Sequence, residues 1–491
     1  MSNKTLFNTS EKSNFILNMT EEKYSAIASK VLCLTCILGA LFAIPYEASK
    51  TVGVSIISGG LAVCGVICMI MALIAVLKKF ITKKMLIPIG AFGAMLVFGL
   101  ISTINSFNFN IAFYGADGRG EGFLALIFYF CIFITALTVK GKKKFTMLSD
   151  ALIVTCLVNS LWALLQLFID KFHNIYRAVP LTTLETDENG VTAPSKDFIH
   201  AVCGLSYSPI FLAFLLSMGL CAAFIGTALN ENKNRRIFYG VSAAVMSFVM
   251  VFTYSLVGWV GFAAAVIFAL ITVFVKKAPK IRLVSVAGAA AATVLSLVII
   301  MTGSLGIYSK YSLHDGPIMW NDSWFRLDSS GNYNTPDVRE DITVLDDTAY
   351  TYNYLNKHTL NIIKRYPLLG TGPENLVFAM VYEDIYTSDG ELKITGDNSV
   401  LNEGTFDKCY NEYLYIAATR GLPSLLAFLV LLVSVIAGSL KKIRAGKLSG
   451  MQIIPVSVVL ISSLLFIVGT SSIAFAPVFW VFAGLCAGSE D

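Results

Sequence analysis

The chain has 491 residues, 56% of them hydrophobic and 14% charged, with a mean hydropathy of +0.70. A soluble domain covers its surface with about 25% charged residues, so this composition excludes a mainly soluble protein and a count of globular domains from length. The net charge of +5 is small; where the charges fall along the chain is what carries information.

The polar N-terminal segment, residues 1–28, carries no pattern of a cleavable signal peptide, and its first apolar run starts too late for one. Asn3, Asn8 and Asn18 stand in N-x-S/T triplets, read as chance on a cytoplasmic tail. Apolar stretches near 20 residues are long enough to cross about 30 Å of hydrocarbon as helices. Twelve such stretches follow, at 29–46, 52–77, 85–104, 122–139, 149–169, 208–228, 237–254, 257–275, 282–302, 422–440, 452–469 and 473–488. The predicted fold class is an all-α polytopic membrane protein of about twelve transmembrane helices, with a large extracytoplasmic loop before helix ten. Its parts are a cytoplasmic tail (1–28), helices 1–9 (29–302), the loop (303–421), and helices 10–12 with the C-terminus (422–491).

Orientation is read from the basic links. Lys78, Lys79, Lys83 and Lys84 fill one; Lys140, Lys142, Lys143 and Lys144 the next alternate one; then Lys233, Arg235 and Arg236; then Lys276, Lys277, Lys280 and Arg282; then Lys441, Lys442, Arg444 and Lys447. Lys and Arg concentrate on the cytoplasmic side, so these links and both termini are expected there. The opposite side receives 105–121, 170–207 and 303–421, the last rich in acids. No Asp, Glu, Lys, Arg or His lies in the middle of a span and no internal repeat is evident, which counts against an ion-coupled transporter. Most of the ten cysteines sit in apolar runs and read as small packing residues; a disulfide between Cys203 and Cys409, both on the outer side, stays open.

Polar chemistry is therefore sought in the outer segments. In FYGADGRGEGFLALIFYF, Arg119 and Glu121 flank Gly120: a bidentate phosphate ligand, or a helix start with its favourable acid and a head-group arginine. Pro209 suits a helix start, and His200 reads as structural or solvated. Trp320 and Trp324 fit sugar stacking and interface anchoring equally. Residues 352–365 predict an amphipathic helix stopped by Pro367, after which Gly370 and Gly372 allow a tight turn; without a Gly-Lys-Ser/Thr ending this is no P-loop. Asp407 is expected to cap a further helix, and Gly421-Leu422-Pro423 to break it before the tenth span.

The order of these motifs resembles the O-antigen ligase family, which includes polymerases of the same fold. GADGRGEGFLALIFY is similar to its G-x-x-x-R-x-E-G segment, LSYSPIFLA to N-P-N-x-L-A and TYSLVGWVGF to S-R-G-x-W. IIKRYPLLGTGPEN is similar to P-L-x-G-x-G-P, and DKCYNEYLYIAATRGLPSLL to H-N-x-x-L. The resemblance implies a metal-independent, cofactor-free glycosyltransferase in the bacterial cytoplasmic membrane. Such an enzyme moves a glycan from undecaprenyl diphosphate to a sugar or lipid acceptor, with no nucleic-acid partner. Arginines then hold the diphosphate and the histidine deprotonates the acceptor. Here that histidine is Tyr410, the arginine of S-R-G is Leu256, the asparagines of N-P-N are Ser208 and Ile210, and a further family arginine falls near Tyr352. A free tyrosine, with pKa near 10, is a poor base at neutral pH. The candidate catalytic residues are Tyr410, Asn411, Glu412 and His358; the candidate diphosphate ligands are Arg119, Lys364, Arg365, Lys408 and Arg420; Gly370, Gly372, Pro373 and Gly421 shape the loops. A catalytically inactive relative that binds lipid-linked glycan or scaffolds polysaccharide assembly is the alternative, and a transporter of such lipids the second.

Overall fold

A computed structural model describes residues 19–43, 46–49, 54–56, 58–116, 119–169, 179–186, 192–206, 208–276, 279, 283–302, 344–385, 408–448 and 450–488. Trp320, Trp324, Asp407 and the three N-terminal asparagines lie outside them.

Each predicted span falls on a helix. In chain order these are α1 (Glu21–Leu41), α2 (Gly59–Leu77), α3 (Leu86–Ile104), the short α4 (Phe109–Tyr114), α5 (Phe123–Leu137), α6 (Lys142–Phe168), α7 (Pro209–Leu229), α8 (Lys233–Val251), α9 (Leu256–Val275) and α10 (Val284–Thr302). Then come α11 (Val344–Arg365), α12 (Leu376–Ile385), α13 (Glu412–Arg444), α14 (Ile454–Leu465) and α15 (Ala476–Gly488). Two antiparallel strand pairs, Tyr46–Ser49 with Val54–Ile56 and Val179–Thr186 with Thr192–Ala201, lie in links between helices and leave the class all-α. His200 is on the last of these strands, paired with Pro180. Among the described residues seven helices are long and apolar enough to span a bilayer and four more apolar helices are shorter. α8 falls outside both groups because its first turn carries Lys233, Arg235 and Arg236.

Local chemistry sets the helix ends. Thr20 caps α1, whose first turn holds Glu21 and Glu22, so this helix starts well before its apolar run. Ser58 caps α2 and delays it relative to the predicted 52. Pro209 takes the first position of α7, where a missing N–H costs nothing.

The bundle has a clear inside. The apolar window of α7 is 94% buried against protein, whereas those of α3 and α13 are 33% buried and turn Leu, Ile and Val outward. Between helices in lipid, packing rather than water exclusion holds the contact, and small residues let backbones close up. A Cβ on Gly261 of α9 would lie 1.9 Å from the Ser217 hydroxyl of α7. α15 is buried almost throughout, packing Trp480 at a tilt against Phe92 and setting Phe479 edge-on to Phe466. All ten cysteines are free and Cys203 and Cys409 are each buried, so the pairing left open above is not made. Gln166 instead accepts from the Cys203 amide at 3.1 Å.

Candidate functional site

α13 is 33 residues long, about 50 Å at 1.5 Å per residue, well beyond a hydrocarbon core. It breaks at Gly421, whose φ is +81. The most apolar part of the helix begins after the break, so residues 412–420 form a separate rim segment at its start. Its cap is Asn411, whose side chain accepts from the Leu414 amide at 3.1 Å, leaving Glu412 as the first helical residue.

The turn Pro367–Pro373 locks onto this break. Thr371 and Gly372 donate their amides to the carbonyls of Ala418 and Thr419, each at 2.9 Å, and Leu422 donates to Pro367 at 2.8 Å. The fit is backbone on backbone: a Cβ on Gly421 would sit 2.0 Å from the Leu368 carbonyl oxygen, and one on Gly370 would sit 2.4 Å from the Thr419 carbonyl carbon. Gly370 and Gly372 hold φ of +67 and +100, a region that favours glycine. Ser102 of α3 closes the clamp by donating to the Thr419 carbonyl at 2.7 Å. The turn then delivers Glu374, a non-glycine at φ +58, while Asn375 ties it to Asn108. Such a conformation costs on the order of 1–3 kcal/mol and persists where surrounding contacts over-determine it.

Those contacts form an ionic cluster. Lys408 Nζ lies 2.6 Å from Glu121 Oε2, 3.5 Å from Glu374 Oε1 and 2.9 Å from the Ser471 carbonyl, with the Tyr415 ring beneath it. Arg119 pairs with Glu374 Oε2 at 3.5 Å, and Arg420 with Glu412 Oε1 at 3.6 Å. Tyr415 donates its hydroxyl to Glu374 at 3.0 Å, and Tyr129 donates to Glu121 at 3.2 Å. Ser471, in the link between α14 and α15, donates its amide to Glu412 Oε2 and its hydroxyl to Glu121 Oε1, each at 2.8 Å.

Burial and neighbouring charges compete at these groups. For Lys408 burial opposes the charge, but Glu121 and Glu374 outweigh it and hold the ammonium above the ordinary lysine range. For Glu374 burial pushes upward, yet Lys408 and Arg119 hold the carboxyl below the usual range. Glu412 is different. Burial pushes its carboxyl up to about 7, with Arg420 opposing and Glu121 adding to the rise.

A cleft of about 610 Å³, open mouth included, lies against this cluster. Glu121, Glu374, Glu412 and Arg420 make its polar wall; Phe428, Phe466, Phe479 and Trp480 are among its apolar lining. The two arginines are the more accessible cations, with side chains 14% and 13% exposed, and their pairs are longer than the 2.7–2.9 Å of a strong charge-assisted bond. Lys408, 7% exposed, is bound tightly to its neighbours.

The structure thus brings together Arg119, Lys408, Arg420 and Glu412, with Asn411 as cap and Pro373 on the cleft wall. Tyr410 is half-buried and packs against the apolar core. His358 is half-buried on α11; Lys364 and Arg365 are exposed at its C-terminal end, Arg365 lying over the Tyr366 ring. Glu374 and Ser471 are absent from the sequence-based candidates. Glu374 stood in the quoted GTGPEN turn; Ser471 sits in a short apolar-flanked link with no motif of its own. Among the described residues no group of three or more His, Cys, Asp or Glu could hold a metal ion.

The sequence model described as O-antigen ligase matches residues 241–429, less than half of the chain. Glu374, Lys408, Glu412 and Arg420 fall inside the match; Arg119, Glu121 and Ser471 fall outside it. Neither a curated protein nor a solved structure matches the chain.

Proposed function

We propose, for a chain that belongs to the O-antigen ligase family over residues 241–429, that it transfers a glycan from undecaprenyl diphosphate to an acceptor hydroxyl, with Glu412 as the base. Membership supports a membrane glycan ligase or polymerase role in general; the donor, the base and the extracytoplasmic face are our reading. One observation carries it: a buried carboxyl, pushed above the usual carboxylate range by that burial, lines a cleft with an arginine beside it and aromatic side chains in its lining.

The chemistry follows from the charges. A general base works best with a pKa near the operating pH, and Glu412 meets that where Tyr410 does not. The acceptor O–H gives its proton to Glu412 as its oxygen attacks the anomeric carbon. The bond from that carbon to the diphosphate oxygen breaks, and the electron pair leaves with the diphosphate. A diphosphate leaving group needs cations rather than an acid. Arg119 and Arg420, held by long ion pairs, exchange a carboxylate for phosphate oxygens; Lys408 stays with Glu121 as an internal brace. The aromatic wall receives apolar faces of sugar or prenyl chain.

The test is surface glycan made by cells whose deleted gene is replaced by variants. Glu412→Gln and Arg119→Ala each lose the glycan as the deletion does. The alternative, a scaffold that binds lipid-linked glycan without turning it over, has one observation in its favour: Arg119, Lys408 and Arg420 each already face a carboxylate. Glycan made at full level by both variants, and lost only on deletion, would establish the scaffold instead.

A further inference from the structure

The link between α14 and α15 grips Glu412 from two sides. The Glu412 amide donates to the carbonyls of Phe466 and Gly469 at 2.9 and 3.1 Å. The neighbouring Tyr413 donates its hydroxyl to the Ser463 carbonyl at 2.7 Å. From the other side, Ser471 spends all three of its polar groups on the cluster: amide to Glu412, hydroxyl to Glu121, carbonyl from Lys408. Ser471 is buried to an intermediate degree and lines the cleft.

From this geometry we infer that Ser471 is a positioning residue, which fixes the Glu412 carboxylate relative to Glu121 and aims its free oxygen into the cleft. The inference rests on the reading of Glu412 as the base. Its logic is geometric. Glu412 Oε2 is taken by the Ser471 amide, and Oε1 faces Arg420 at 3.6 Å, too far for a strong bond. One oxygen is therefore anchored, and the other is held only by the long Arg420 pair on a residue that lines the cleft. The Ser471 hydroxyl holds Glu121 at the same residue, so the two carboxylates cannot drift together, where each would oppose the other's charge. The family match ends at residue 429, so this part of the site lies beyond it.

The groups facing Glu412 are Arg420 on its own helix, Glu121 at the start of α5, Lys408 before α13, and Tyr413 beside it; Arg119 and Glu374 stand behind Lys408. Removing the Ser471 hydroxyl leaves Glu121 one donor short. Its charge then acts more strongly on Glu412.

The experiment is an infrared titration of the protonated-carboxyl band on the full chain in lipid nanodiscs, alongside surface-glycan yield in cells. Wild type shows a band titrating near neutrality, and Glu412→Gln removes it. In Ser471→Ala the band's midpoint moves upward and the glycan yield falls by about tenfold or more, the value of one charge-assisted hydrogen bond. Ser471→Thr, which keeps the hydroxyl, restores both. A folded Ser471→Ala protein with an unmoved midpoint and full glycan overturns the positioning role while leaving Glu412 as base. Full glycan from Glu412→Gln overturns the reading beneath it.

Discussion

Lys408→Met is the sharpest perturbation of the cluster. Methionine keeps most of the side chain's volume and removes the charge. It deletes the 2.6 Å pair with Glu121, the 3.5 Å pair with Glu374 and the bond to the Ser471 carbonyl. The carboxylates left behind are 7% and 1% exposed, so water cannot replace the ammonium. Breaking a buried pair by removing one partner costs about 3–5 kcal/mol, because an uncompensated charge remains. The two carboxylates do not suffer equally. Glu374 keeps Arg119 and the Tyr415 hydroxyl, whereas Glu121 keeps only neutral donors, Tyr129 and Ser471, among its contacts described above. Most of the loss therefore sits on Glu121, and adding Glu121→Gln should return about 2 kcal/mol of it. The assay is equilibrium unfolding of the full chain in mixed detergent micelles, for wild type, both single variants and the double. A single variant within about 0.5 kcal/mol of wild type, or a double no more stable than Lys408→Met, would refute the reasoning.

Three further outcomes are expected. The Glu412 carboxyl, raised in the folded protein from about 4.5 to about 7, contributes stability that is full below 4.5 and is lost as pH rises through 7. Unfolding midpoints of wild type should thus fall across that window relative to those of Glu412→Gln, and parallel curves would contradict the assignment. Gly421→Ala places a Cβ 2.0 Å from the Leu368 carbonyl oxygen at a φ of +81, at a cost of roughly 3 kcal/mol or more, seen as lost protease resistance of the purified protein. On the proposed reading of Glu412 as the base, Tyr410→His should leave glycan yield at wild-type level; a yield above wild type would move the base to 410.

The spans were legible because one strong quantity, hydrophobicity over about 20 residues, decides them. Their ends were less so: α1 starts at Glu21 and α2 at Gly59, where Thr20 and Ser58 cap them, and caps act below the resolution of an apolar window. At the site, Arg119, Glu121, Lys408, Glu412 and Arg420 were readable from motifs. What they do to one another was not. Tyr410 drew notice as the residue at a histidine position, yet the unusual carboxyl lies two residues on, and its burial comes from α14 and α15, far along the chain. Glu374 and Ser471 carried no local signal, since a glutamate after a glycine turn and a serine in a short link become special only through long-range contacts. Lys364 and Arg365 stand exposed in the last turn of α11, a position their place beside the motif did not specify.

The break at Gly421 has a mechanical meaning. Bilayers differ in thickness, and a spanning helix answers by changing its tilt. In an unbroken α13 that tilt would be transmitted as a lever to Glu412 and Arg420. Here the rim segment is bolted to the Pro367–Pro373 turn and to α3, on the far side of a joint from the lipid-facing span. The span can follow the membrane while the carboxyl and its arginine keep their setting, so the geometry of the cluster is insulated from the lipid composition around it.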